Sequence, residues 1–362
     1  MDLSKKKQDQ TAGDFAVQNQ IEGQDNLSIT QVNYNYGVTS SDVISLAKTV
    51  YEQLVPQTIN KYSIIAETTV NDRLNAFGRE LLPRIIKIEG ALDFFKDPKF
   101  QFLLRDAQRT AAKTDRIEDL NLLSELLTCH VAKGNDRKID AGIHHAIKIV
   151  DEIDNDALCA LSVACAFKYY VPNNGSVSDG LKDLDNAYKK IMYLNLPEGT
   201  DWLEHLDMLG ALRLSSRGLV DSKNHIASQM KGYVCVGIKN DSDELEKAFT
   251  ILDENHISRS VLIDNECLDG YKRLKFGSLK SINPNFLETV NRILSLYSKD
   301  KLEMNKVKNS FVKLWDSYEA LRTVRYWWSR IPTGFEITYI GRLLAHTNAK
   351  RIDSTFPDIF NL

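Results

Sequence analysis

Residues 157–167, Ala-Leu-Cys-Ala-Leu-Ser-Val-Ala-Cys-Ala-Phe, contain no charged side chain and are apolar on every side of a helical wheel. A surface helix carries a single apolar stripe, so a segment that is apolar all round has to be enclosed by its neighbours. The run spans eleven residues between Asp156 and Lys168. A bilayer needs about 20 such residues, so this run is too short to cross one. It predicts a central, buried helix, and its small side chains let neighbouring helices come close. A chain that must surround such a helix is expected to be mainly α-helical.

The rest of the sequence supplies the surrounding elements. Residues 1–26 are rich in Gln, Asn, Asp and Lys and are expected to form a disordered polar tail. Residues 27–37 are β-branched, aromatic and uncharged up to Gly37, which predicts a β-strand segment. Residues 38–195 read as a helical lobe. Within it, apolar positions recur at helical spacing in 99–113, 117–130 (Leu120, Leu123, Leu127) and 139–150 (Ile139, Ile143, Ile147, Val150). Pro56 and Pro83 mark a helix start or kink. Residues 196–283 read as a mixed α/β segment. Its expected parts are a short helix from Trp202 stopped by Gly210, a winged-helix-like strand around Leu214, strands at 233–238, 260–263 and 271–276, and a helix capped near Ser242. Residues 284–362 read as helical again, with an aromatic stretch around Tyr326, Trp327 and Trp328 and a last helix capped by Thr338.

Composition narrows the function classes. The formal net charge is -3, which argues against a dedicated nucleic-acid scaffold while leaving a local basic face open. Cys129, Cys159, Cys165, Cys235 and Cys267 form no C-x-x-C pair and are odd in number, so they are expected to be reduced thiols in a reducing compartment. No apolar stretch follows the lysines of the N-terminus, so no signal peptide is expected and the location is read as cytoplasmic, without membrane contact.

Few residues suggest chemistry. Arg137 precedes His144 with six residues between, a spacing used by a class of helical ribonucleases, in which Arg stabilises phosphate charge and His moves a proton. His144 also borders the apolar stripe of Ile143 and Ile147, where a half-buried histidine is ordinary. Glu204 and Asp207 share a helix face, but His205 points about 100° away from Glu204. Asp151, Glu152, Asp154 and Asp156 follow no calcium-loop spacing. No phosphate loop or paired Cys/His motif occurs, so neither cofactor nor metal is expected. The Trp327/Trp328 stretch reads as core in preference to a base-stacking platform, because adjacent helical residues diverge. The helix at Trp202 carries Glu204 and Asp207, the wrong charge for a groove reader.

Phe335-Glu-Ile-Thr-Tyr-Ile-Gly-Arg-Leu-Leu-Ala-His-Thr-Asn-Ala-Lys350, together with residues 100–112 and the Gly23-Gln-Asp-Asn stretch with Ile29 and Val32, resembles a bacterial family with no assigned activity. More distantly, residues 122–127 and 146–161 are similar to alpha-type abortive-infection proteins, a resemblance that implies a role in phage defence. Neither group supplies a catalytic residue. The leading expectation is a non-enzymatic, oligomeric interaction protein of that setting, pairing with itself or another protein through Ile29, Gln31, Val32, Tyr34 and Tyr36 of the N-terminal strand. The alternatives are a metal-independent ribonuclease using Arg137 and His144, and a winged-helix DNA-binding regulator.

Overall fold

A computed structural model describes residues 55–133, 136–219, 221–278 and 282–356, with positions 44, 45 and 48. The strand expected at 27–37, with Ile29, Gln31, Val32, Tyr34 and Tyr36, lies outside the described residues. Contacts divide the chain into residues 1–64 and 65–362. The first unit is described chiefly as the opening turns of helix α1 (Val55–Ile85), where Pro56 stands at the second position. Pro83 lies in the last turn of that helix, so the backbone hydrogen bond it removes is confined to the helix's C-terminal end.

The second unit is mainly helical, as its periodicity predicts. Helices α2 (Pro98–Lys113), α3 (Ile117–Lys133) and α4 (Arg137–Ile149) pack on one another. Helix α5 (Asn155–Tyr169) is the central one: every residue from Ala157 to Phe167 is buried. It is surrounded by α6 (Val177–Ile191), α7 (Asp201–Met208), α8 (Ser222–Gln229), α12 (Glu319–Arg330) and α13 (Tyr339–Ile352), which is why no side of it is polar. Helix α13, the last in the chain, also packs on α3 and α4. The final helix thus completes the core that the first helices begin, and one apolar cluster runs from Phe77 to Phe356.

Two small antiparallel sheets interrupt the helices. Strand β1 (Leu212–Ser215) follows the Gly210 stop, whose φ of 72° is in the left-handed region, and it pairs with β5 (Gly334–Ile337), Leu212 opposite Ile337. Its partner is therefore a strand from the far end of the chain and not a neighbouring wing. Strands β2 (Ile238–Lys239), β3 (Leu262–Asp264) and β4 (Tyr271–Leu274) make the second sheet, in the order β2-β4-β3. Helices α9 (Asp243–Glu254) and α10 (Leu287–Ser295) contribute Leu245, Leu252 and Ile293 to a separate small core with Ile238, Leu262 and Leu274. Helix α11 (Lys301–Ser317) leads back to the main core through Phe311 and Trp315.

The structure corrects the strand expected over 233–238. Only Ile238 of that run is in a strand. Gly237 takes a φ of 84°, which breaks the extended chain, and the carbonyls of Cys235 and Val236 accept from the Asn265 side-chain amide at 2.8 and 3.0 Å in place of a neighbouring strand. The strand expected over 260–263 likewise opens as a 3-10 turn, Arg259–Val261, because the Ser258 hydroxyl caps the backbone at Ser260. Among the described residues no helix is long and apolar enough to cross a membrane.

Candidate functional site

Two N-capping aspartates set the helices that frame one cleft of the helical body. Asp97 starts α2 by accepting from the backbone N–H of Lys99 at 2.9 Å, with Pro98 at the first helical position. Asp136 starts α4 by accepting from Lys138 and Ile139 at 2.8 and 3.2 Å. Each helix then turns an apolar stripe inward: Phe100, Leu103, Ala107 and Ala111 on α2, and Gly142, Ile143, Ala146 and Ile147 on α4. Gly142 is needed for close approach. A Cβ there would lie 2.4 Å from the Tyr339 ring of α13. With these stripes buried, the flanking positions Lys99, Phe102, Asp140, Ala141, His144 and His145 face one another across a cleft of about 290 Å³, and His130 from the end of α3 also lines it.

Two histidine–aspartate contacts form there. His144 Nε2 is 2.9 Å from Asp106 Oδ2. The two atoms are close but lack the alignment of a hydrogen bond, so the carboxylate lies beside the ring without fixing its tautomer. Arg109 stands 3.4 Å from the other Asp106 oxygen. His130 Nδ1 and Asp140 Oδ1 are 3.1 Å apart but lack the alignment of a hydrogen bond, and both atoms are buried without another protein partner. The His130 ring stacks on Phe100 at 5.8 Å and meets the edge of Phe94 at 6.2 Å. Burial holds the His130 pKa below the usual histidine value, against the pull of the Asp140 and Asp97 carboxylates. The ring therefore prefers the neutral form, which has one donor and one acceptor nitrogen.

The sequence-derived candidates fall in different places. His144 lines the cleft. Arg137 is exposed at the first position of α4, on the face that carries His144, about 10 Å away along the axis. The cleft's own cation is Lys99. Trp327 and Trp328 are buried, with exposures of 3% and 2%, and Trp327 donates to the Pro197 carbonyl at 2.9 Å. Arg325 is held by Asp316 through two hydrogen bonds. That stretch is core, as expected from the divergence of adjacent helical side chains. His205 accepts from the Asp154 backbone N–H, and Asp207 accepts from Leu214 N. Among the described residues no three His, Cys, Asp or Glu side chains converge as a metal ion requires.

Sequence reading missed His130, Asp140, Asp106 and Lys99. Asp140 and His144 are four apart on α4, a visible same-face pair. The rest depends on α2 lying against α4, which no local spacing shows.

A protein-family model matches residues 37–359 of the 362-residue chain. No curated protein matches this sequence, and no solved structure matches it.

Proposed function

For this chain, which belongs to an uncharacterised family whose model spans residues 37–359, we propose that the α2–α4 cleft is an acid–base site acting on the phosphodiester backbone of RNA. The observation that carries this reading is the His144–Asp106 contact at 2.9 Å on the wall of an open cleft. A carboxylate beside an imidazole stabilises the ring once it has taken up a proton, which suits it to act as a general base. RNA carries its own nucleophile, the 2′-hydroxyl, so a base, an acid and a cation are the groups the site must provide. His144 takes the hydroxyl proton. The imidazolium so formed gives its proton to the departing 5′-oxygen, and His130, held neutral, lines the cleft beside it. Lys99 and, further along the α4 face, Arg137 supply positive charge to the phosphate.

Incubating the purified chain with single-stranded RNA in excess chelator tests this. The expected products end in 2′,3′-cyclic phosphates, and Asp106→Asn slows their formation at least about tenfold by removing the charge that stabilises the protonated ring. Intact RNA, or products with 5′-phosphate ends, rejects the reading.

A second reading, a non-enzymatic assembly protein in phage defence, is supported by a different observation. In residues 55–64, Ile59 and Tyr62 are exposed by 57 and 64%. Large apolar side chains left in water are suited to covering by a partner. Together with the strand read from sequence at 27–37, they make the N-terminal region the proposed route of self-association through Ile29, Gln31, Val32, Tyr34 and Tyr36. Val32→Pro should lower the mass measured by light scattering, since proline removes a ladder donor. An unchanged mass sinks this second reading. The DNA-binding alternative has no supporting observation, because α7 carries Glu204 and Asp207 and β1 pairs with β5.

A further inference from the structure

Phe102 stands on the rim of the cleft with 64% of its surface exposed. Its neighbour two residues back, Phe100, is fully buried, because positions two apart on a helix point roughly 200° apart. Phe102 also lines a second, adjoining hollow of about 270 Å³ with Lys96, Pro98, Gln101 and Arg105. The Arg105 guanidinium lies 5.5 Å from the centre of its ring. Of the nearby cations, Lys96 is paired with Asp93 and Arg109 approaches Asp106. Lys99 and Arg105 have no carboxylate partner among the described residues. The rim therefore presents one flat apolar face between two uncommitted positive charges.

We infer that Phe102 is the stacking platform for an unpaired base of a single-stranded RNA whose phosphates are held by Lys99 and Arg105. This deepens the proposed function and rests on it for the identity of the polymer. An exposed ring stacks with any base because every base has a π-face, whereas a base inside a duplex already has its faces covered. Lys99 and Arg105 stand three residues before and after the ring, so positive charge flanks it along the helix, as a stacked strand's phosphates require. An acidic peptide would also find the two cations but would leave the Phe102 ring uncovered.

The test uses the full chain carrying His144→Ala, so that RNA is bound without being cut, and reads fluorescence anisotropy of a labelled 12-residue oligouridine. Adding Phe102→Ala should weaken binding about tenfold, and Phe102→Trp should restore it. Lys99→Gln and Arg105→Gln should each lower the slope of log affinity against log salt by about one. Unlabelled duplex RNA and polyglutamate should compete poorly. Phe102 is exposed, so the melting midpoint of Phe102→Ala should match its parent, which separates loss of binding from loss of fold. Equal binding by Phe102→Ala, or displacement of the oligonucleotide by polyglutamate at equal charge, overturns the platform. Phe102-dependent binding by a chain that never cleaves RNA upholds the platform and removes only the catalytic reading. Cleavage whose KM is unchanged in Phe102→Ala removes only the platform.

Discussion

Histidine meets aromatic rings in two regions of this molecule. In the core, His225 is stacked between Phe167 at 5.1 Å and Trp328 at 5.6 Å, and its Nε2 is 3.0 Å from the Phe167 carbonyl. Trp315 and Phe335 close the same cluster from other elements. In the cleft, His130 stacks on Phe100 in the same manner, yet its Nδ1 and the facing Asp140 oxygen have no hydrogen-bond partner in the protein. His144 and His145 beside it face a cavity. Burial lowers the pKa of both His130 and His225. The difference is that His225 Nε2 meets a carbonyl at hydrogen-bond distance, whereas His130 Nδ1 meets only a misaligned carboxylate oxygen. Buried polar atoms are nearly always paired, so an open pair beside a cavity is better explained by a ligand than by packing.

The comparison predicts that substitutions in the two regions separate stability from activity. The largest effect on stability should come from Trp328→Ala. Removing a buried tryptophan that touches His225, Phe167 and Phe335 should cost about 3–5 kcal/mol, read as a lower urea midpoint. A loss under about 1 kcal/mol means the knot is not a core element.

Gly142→Ala is expected to come next. Its Cβ would meet the Tyr339 ring at 2.4 Å, so α4 must shift or the ring must turn, at a cost of about 1–3 kcal/mol. Because α4 carries Asp140 and His144, this substitution should also weaken activity, and it tests whether the cleft depends on helix placement.

A smaller effect should appear with pH. The His130 pKa is lower in the folded chain than in the unfolded one, so below pH 6.5 the unfolded chain takes up the proton first. The stability linked to His130 is complete above that pH and is lost as pH falls toward the folded value. Wild type should therefore lose more melting temperature between pH 7.5 and 5.5 than His130→Gln does. Parallel losses mean that this ring is not held neutral.

Tyr326→Ala serves as the control. Tyr326 is 54% exposed beside two buried tryptophans, and its removal should change stability by less than about 0.5 kcal/mol.

The core was legible in the sequence because its signals are local. The charge-free run at 157–167 had to be enclosed, the stripes of Ile143 and Ile147 had to face inward, and Thr338 announced its helix by its capping hydroxyl, which accepts from Gly341. Gly237 and Asn265 mark the limit of such reading. Val234, Cys235 and Val236 have strand composition, but a left-handed glycine and a side-chain amide 29 residues away take their place in a ladder. The cleft was legible only at His144. Asp106, His130 and Lys99 are unremarkable polar residues until α2, α3 and α4 pack together, and Phe102 looks like any core phenylalanine until helix geometry turns it away from Phe100.

The most direct test of the account compares the RNA cleavage rates of wild type and His144→Ala at equal folded concentration. A fall of at least about a hundredfold with an unchanged melting midpoint is the predicted result, since a positioned proton carrier contributes that much or more. Equal rates, or a fall matched by loss of folded protein, would contradict the claim that this histidine cluster is kept open for chemistry.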